Sequence, residues 1–432
     1  MAKIIIRNVG PIKEAEFDLN KVNVFMGPQS SGKSTIAKII SYCTWVEKDV
    51  ATSQSLKTYQ DNKTHFRDHL VNFHKIKGYF RDDSYIYYKS DVVEIKWENQ
   101  LCDINWVDQY AYKRSKISYI PSERNMVILP DSKKVEFGNI NIRSFLFDWF
   151  NARKNYPKDN KLSILNLKVD YYFNESEMNE EDHIRGIDDS REYDILLSNA
   201  SSGLQSITPL VGMIDYLTTW IYKEDNTSFL QEDKQRKVSN FIIDEKILKP
   251  YFNMELISKD KRKEKIEEIN EKIRDNEPKA RKLFLDYRKQ ITNLFSTHNT
   301  QFIIEEPEQN LFPETQKDLI YHLLEKCLNR EGNRLTITTH SPFVLYALNN
   351  CMLGHFVKEK MMKDEEYVNL KSLKSSIDPS DVSVWQITNT GTINKIQGDD
   401  FLIENNYFDA CMKDVMDDFY KMINYYGDED ED

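Results

Sequence analysis

The chain has 432 residues, of which 40% are hydrophobic and 30% charged, and its formal net charge is −11. That is enough apolar material for a large core with inserted subdomains, and too acidic a balance for a surface coated for non-specific nucleic-acid binding, although a local basic stripe stays open. No run of 18 apolar residues is present to cross a membrane, no signal-peptide pattern opens the chain, and five scattered cysteines form no CxxC pair, so a cytoplasmic protein is expected.

Residues 1–47 read as the first part of an α/β core. Residues 4–6 and 15–19 flank a turn at Gly10-Pro11, and Val22–Met26 is a short apolar run ending at glycine, the pattern of a buried parallel strand. The segment Gly27-Pro28-Gln29-Ser30-Ser31-Gly32-Lys33-Ser34-Thr35 then matches GxxxxGK[ST] and leads into a helix predicted over residues 34–46. Its glycines let the backbone wrap phosphates, with the N–H groups of successive residues turned inward through Gln29, Ser30 and Ser31. The helix start at Ser34-Thr35 adds a partial positive charge. Lys33 is expected to bridge the β- and γ-phosphates of ATP and the Ser34 hydroxyl to ligate Mg²⁺.

Residues 48–117 are polar and aromatic and read as an inserted β/helical subdomain, with antiparallel strands expected at 85–88 and 92–97. The boundary to residues 118–219 runs through Ile117-Ser118-Tyr119-Ile120-Pro121-Ser122-Glu123-Arg124-Asn125, in which Glu123 or Arg124 either reaches the nucleotide or Mg²⁺ or forms a structural Arg–Glu pair. A helix is expected over 141–156 and strand-like runs over 165–197. The segment Asn199-Ala200-Ser201-Ser202-Gly203-Leu204-Gln205-Ser206 places small residues at a helix start; Ser202 reads either as a plain N-cap or as part of an anion site with Ser201, Gly203 and Gln205. Pro209, inside that helix, is expected to kink it. Residues 220–300 read as a helical insertion whose Lys/Glu-rich part, 253–295, is broken by Pro278 into a short hairpin.

Residues 301–350 return to strand, loop, helix, strand, loop, helix, the rhythm of a doubly wound sheet. Phe302-Ile303-Ile304-Glu305-Glu306-Pro307-Glu308 is an apolar strand ending in paired carboxylates: Glu305 is expected in the Mg²⁺ shell and Glu306 as the base that orients the attacking water. Leu335-Thr336-Ile337-Thr338-Thr339-His340-Ser341-Pro342 is a second such strand, and His340 is expected to meet Glu306 at the carboxyl edge of the sheet and to sense the γ-phosphate. Residues 351–432 read as a C-terminal cap with a helix-like stretch at 409–425 and the acidic tail Asp428-Glu429-Asp430-Glu431-Asp432.

Taken in order, these phrases resemble the ABC type of P-loop ATPase, in its OLD-like and SMC/RecF-like branch. IPSERN, NASSGLQS, IIEEPEQNLFP and TTHSPFVLYALNN are similar to stand-alone ATPases of bacterial anti-phage systems of the PARIS, Septu and retron-associated kinds. The resemblance implies an α/β fold, an ABC-type P-loop NTPase head with an antiparallel β subdomain and helical insertions. It makes residues 199–206 the signature motif, which completes the ATP site of a second copy, and so implies a homodimer or higher homo-oligomer. It also implies an ATP-driven sensor or scaffold controlling a separate effector, a nuclease or toxin, with a DNA-clamping maintenance ATPase as the alternative and no membrane role. Departures are Glu305 where the family has mostly Asp, Phe312-Pro313 where a D-loop Asp is usual, the lack of a Q-loop glutamine, and no Toprim-like nuclease pattern after His340.

Overall fold

The computed structural model describes residues 2–129, 138, 140–175, 180–188, 192–223, 229–361, 363, 369–423 and 425–426. The acidic run 428–432 lies outside them.

The first third of the chain builds one antiparallel sheet and the strand and helix that carry the phosphate loop. Strands β1 (Ala2–Val9) and β2 (Ile12–Leu19) form a hairpin around Gly10, whose φ of 54° a side chain would resist. β3 (Val22–Met26) leads through the loop into α1 (Lys33–Ser53); α2 (Lys57–Asp61) and α3 (His65–His74) follow. β4 (Phe80–Lys89), β5 (Val93–Glu98) and β6 (Leu101–Trp106) return to the first hairpin and complete a sheet of order β2-β1-β4-β5-β6. Alternation explains its placement: Ile4, Ile6, Ile86, Ile95 and Trp97 point one way and are buried with Phe25 and the apolar side of α1.

β7 (Ser115–Ile120) ends in a 3₁₀ turn over Ser122–Ile128, and α4 (Asn141–Ala152) precedes a small antiparallel sheet, β8 (Leu162–Ser163), β9 (Val169–Glu175), β10 (Glu180–Gly186) and β11 (Asp194–Leu196), of order β11-β10-β9-β8. α5 (Ser202–Asp215) runs on into a π turn at Tyr216–Trp220. α6 (Phe229–Ile243), α7 (Lys249–Phe252), α8 (Lys259–Arg274) and α9 (Pro278–Phe295) make the helical insertion; Pro278 starts α9, so the expected hairpin is α8–α9, closed on Ile247, Leu248, Ile269 and Ala280.

The last third supplies β12 (Asn299–Glu305), α10 (Pro313–Cys327), β13 (Arg334–Thr339), α11 (Pro342–Met361), α12 (Lys371–Lys374), β14 (Val382–Ile387), β15 (Ile393–Lys395) and α13 (Tyr407–Ile423). The central sheet has the order β15-β14-β3-β13-β12-β7 and is parallel except for β15. Every residue of β3 is buried because both faces are covered: Val22, Val24 and Met26 pack toward α5, α10 and α11, and Phe25 packs toward α1. β12 divides likewise, Phe302 and Ile304 toward the helices and Ile303 against Ala37 of α1. Each such side chain contributes about 1.5–3 kcal/mol by leaving water, so the sheet is fixed by continuous apolar strands and not by alternation. The chain is thus mixed α/β with an antiparallel β subdomain and helical insertions, as expected. β14, drawn from the C-terminal segment, lies beside β3.

Candidate nucleotide site

Parallel strands β3, β12 and β13 deliver their carboxyl ends to one edge, in the register Glu305 beside Thr338 and Thr339 beside Met26. The loop after each strand carries one expected motif.

After β3, the phosphate loop bends at Gly27 and Gly32, with φ of 152° and 107°. A Cβ on Gly27 would meet the Ile387 carbonyl at 2.6 Å, and one on Gly32 would meet Ile12 Cδ1 at 2.4 Å, so β14 and the first hairpin wall the loop on two sides. Ser30 is held at φ 60°; Gln29 and Ser30 are exposed, Ser34 is half-buried, and Ser31 and Thr35 are buried with Ser31 Oγ lacking a partner. α1 begins at Lys33 with no side-chain cap and no acid in its first turn, which leaves its leading N–H groups free for an anion. Lys33 is buried, and its Nζ donates to the carbonyls of Gly27 (2.9 Å) and Pro28 (2.7 Å). Burial pushes its pKa down to about 8, against the opposing pull of Glu306 and Glu308.

After β12, Glu305 is 3% exposed and its Oε1 has no hydrogen-bond partner. A buried carboxylate oxygen left open suits a metal-bound water, and Mg²⁺ usually takes one or two protein oxygens beside the nucleotide's phosphates. Glu305 offers such an oxygen at this edge. Glu306 adopts φ 42°, a left-handed conformation costly for a side chain this size. It is held there from three sides: its N–H donates to Thr338 O (2.9 Å), its carbonyl accepts from Arg124 Nη2 (2.9 Å), and its Oε1 lies 3.2 Å from His340 Nε2. The His340 contact is the main reason its pKa lies below the usual carboxylate value, opposed by burial. The expected meeting of Glu306 and His340 is therefore present.

Two residues that the sequence left without this role complete the arrangement. Glu308 is buried and accepts from Thr339 Oγ1 (2.8 Å) and from the His340 N–H (2.6 Å), which pins the histidine loop to the carboxylate loop; burial raises its pKa. Arg124 has no exposed surface, and its guanidinium donates to the backbone carbonyls of Ser206 (3.1 Å), Glu305 (3.0 Å), Glu306 (2.9 Å) and Pro307 (3.1 Å). Burial pushes its pKa down to about 10, and the three carboxylates pull it back. Its guanidinium is thus spent on backbone carbonyls, and among the described residues it forms no ion pair with a glutamate. Glu123 is exposed, and its carboxylate accepts from the Ser122 hydroxyl.

The 199–206 segment opens α5 as expected, but the N-cap is Ser201, whose Oγ accepts from the Leu204 N–H at 3.4 Å, and Ser202 is the first helical residue. Both serines are exposed. Gln205 Nε2 donates to the carbonyls of Ser198 and Ala200, both at 3.0 Å, closing the turn before the helix. Gly203 lies against the loop after Glu308: a Cβ there would meet Asn310 O at 2.9 Å. α5 continues through Pro209 to Asp215, and Arg124 occupies the Ser206 carbonyl beside the turn the proline weakens. Among the described residues, no hydrogen bond or ion pair joins residues 199–206 to residues 27–35.

No family model matches the sequence, and none of the curated proteins does. Among solved structures, the chain is similar to the SMC head domain from Thermotoga maritima, at 11% identity over 80% of this chain and 90% of that one, with a TM-score of 0.32. It is also similar to the recombination mediator protein RecF of the RecFOR pathway, at 11% identity over 91% of this chain and 97% of that one, with a TM-score of 0.27.

Proposed function

We propose that this chain binds ATP with Mg²⁺ and hydrolyses it as an ABC-type ATPase, each site completed by the 199–206 segment of a second copy. The observation that carries this reading is the Glu306–His340 pair, 3.2 Å apart, on the same sheet edge as the Lys33 loop. Glu306 is kept anionic by the histidine and is shaped to orient a water toward the γ-phosphate. Bound Mg²⁺ would neutralise phosphate charge beside Glu305 and Ser34. Lys33 exchanges its two loop carbonyls for phosphate oxygens, and the uncapped start of α1 receives the remaining charge. The exposed Ser201 and Ser202 at the start of α5 offer a second set of N–H groups to an anion brought from outside the chain.

The division of the chain at residues 47, 117, 219, 300 and 350 belongs to this proposal, as does a cytoplasmic ATP-gated sensor or scaffold acting on a separate effector in anti-phage defence. Among the described residues no helix is long and apolar enough to cross a membrane, and no group of three or more His, Cys, Asp or Glu converges to hold a metal ion. The test is turnover of purified protein with ATP and Mg²⁺, run with and without duplex DNA across a salt series. Phosphate release that depends on Lys33 and Glu306, without salt-dependent DNA retention, supports the sensor reading. DNA retention that weakens steeply with salt moves it to a DNA-clamping ATPase. Absence of phosphate release under every condition overturns the ATPase assignment.

A further inference from the structure

A cavity of about 390 Å³ opens between α1, α3, β7 and α4, on residues that the proposed ATPase reaction does not use. Its size is in the range of small-molecule clefts. Its wall is a run of rings on α1 and α3: Tyr42 and Trp45 stack at 5.9 Å, Trp45 and His69 at 4.8 Å, and His69 and Phe73 at 5.9 Å.

Polar atoms in this lining are left without partners to an unusual degree. His74 is 1% exposed, and neither of its ring nitrogens has a hydrogen-bond partner; the same holds for Tyr42 Oη and His69 Nδ1. More than nine in ten buried polar groups in folded proteins are paired, so a cluster of this kind asks for an occupant. Ordered water would satisfy a hydroxyl or an imidazole. It would do less for the cationic side, where Lys116 is paired with Asp148 at 2.7 Å while the Lys48 ammonium has no hydrogen bond or ion pair among the described residues. Burial first, then the nearby Lys116 and Arg114, push the Lys48 pKa down to about 7, and Asp148 opposes them. An anion placed there would restore the ammonium.

We propose that this cavity is a second ligand site, distinct from the phosphate loop, for a heteroaromatic molecule with a single phosphate, of nucleoside-monophosphate size. The rings of Trp45, His69 and Phe73 offer the planar group an aromatic wall, His74 and Tyr42 supply donors and acceptors for its edge, and Lys48, the lining ammonium without a partner among the described residues, meets the charge of a phosphate monoester. A triphosphate would bring far more charge than the Lys48 ammonium meets, because Lys116 is already paired with Asp148. The site is connected to the sheet edge through Tyr119, which lines the cavity and pairs in register with Ile303; the buried Tyr119 hydroxyl is near enough to the Glu305 carboxylate to feel its charge.

The test is equilibrium dialysis of the full chain with AMP, GMP, CMP and UMP, each in the presence of saturating AMP-PNP, so that the phosphate loop is not what is read. At least one monophosphate should bind with one further equivalent per chain. Lys48→Met and His74→Phe should each weaken that binding by about tenfold or more while leaving AMP-PNP binding unchanged. His74→Phe should melt at or above the wild-type temperature, since it removes unpaired buried nitrogens; should it fail to fold, Lys48→Met carries the test alone. The proposal is overturned if no monophosphate binds, if both variants bind it as the wild type does, or if inorganic phosphate binds as tightly as the nucleotide. Failure of AMP-PNP itself to bind would count against the proposed ATP site and leave the cavity result to be read directly.

Discussion

α1 and α5 begin alike, and the difference between them is instructive. Each is preceded by small residues and has no acid in its first turn, so each offers N–H groups and a positive dipole end. At α1 the start is walled by β14 and the first hairpin, carries the buried Lys33, and faces a carboxylate pinned to a histidine. At α5 the start is capped by Ser201, exposed at Ser201 and Ser202, and has no ionised side chain in its first turn. A helix start becomes a phosphate site when charges and walls converge on it. α1 has these within the chain, whereas the start of α5, among the described residues, does not.

The widest separation between the two halves is expected from changes in the first. Lys33→Ala should abolish ATP binding. Glu306→Gln should retain ATP and lower turnover by roughly 10²–10⁴-fold, the usual contribution of a positioned base. Single-turnover phosphate release checks this, and near wild-type turnover in Glu306→Gln would sink the assignment of the base.

Next comes Arg124, the bracket that ties both halves together from behind. Arg124→Met strips donors from four backbone carbonyls, three of them at the Glu305–Pro307 bend and one in α5. With about 1–3 kcal/mol lost for a buried group left unpaired, stability should fall by roughly 3 kcal/mol. Glu306 should also lose its hold in the left-handed conformation, so turnover should fall further than stability alone explains. Denaturant unfolding together with turnover of the remaining folded protein measures both; a loss below about 1 kcal/mol would show that Arg124 is not the bracket described.

A smaller and more selective effect is expected at α5. Gly203→Asp is a poor probe, because its Cβ would press on Asn310 O in the loop after Glu308 and disturb both halves at once. Ser202 is exposed, so, under the proposed completion in trans, Ser202→Asp should leave ATP binding within about twofold and reduce turnover by roughly tenfold or more, by setting a carboxylate against the second copy's γ-phosphate. Mixing Ser202→Asp with Lys33→Ala protein should place both lesions in one site of a mixed dimer and leave the other intact. Mixtures that recover no activity after proven subunit exchange would count against completion in trans.

The first half was largely legible in the sequence, because its signals are local: glycines where φ is positive, an apolar strand on each side, carboxylates and a histidine at strand ends. What escaped is long-range. Arg124 meets acceptors 82 and more positions away, and all of them are backbone carbonyls, which no residue pattern marks. β14 is an ordinary apolar run whose place beside β3 follows from sheet order alone. Glu308 did carry a faint signal, a third acid two residues after the Glu305-Glu306 pair, but its partners Thr339 and the His340 N–H lie on another strand's end. The cap of α5 was displaced by one residue, within the ordinary ambiguity of a run of two serines.

Glu308 gives the finest test of how tightly the first half is closed. Its carboxylate is buried between the loops after β12 and β13; Oε1 accepts from Thr339 and His340, while Oε2 has no partner. Burial raises its pKa above the ordinary 4.5, the neighbouring Glu306 charge adds to the rise, and the Thr339 and His340 donors oppose it. A carboxyl whose pKa is raised by folding adds stability below its unfolded value, and that contribution is lost as pH climbs through the folded value. The wild type should therefore lose stability relative to Glu308→Gln as pH rises from about 4.5 toward neutrality. The glutamine keeps an oxygen for Thr339 and His340 and removes the charge, so the loops should stay joined and turnover should change little. Unfolding free energies of both proteins across that range decide the matter. A difference that stays flat or grows in favour of the wild type as pH rises would mean that Glu308 is ionised at little cost, and that the loop junction is open to water.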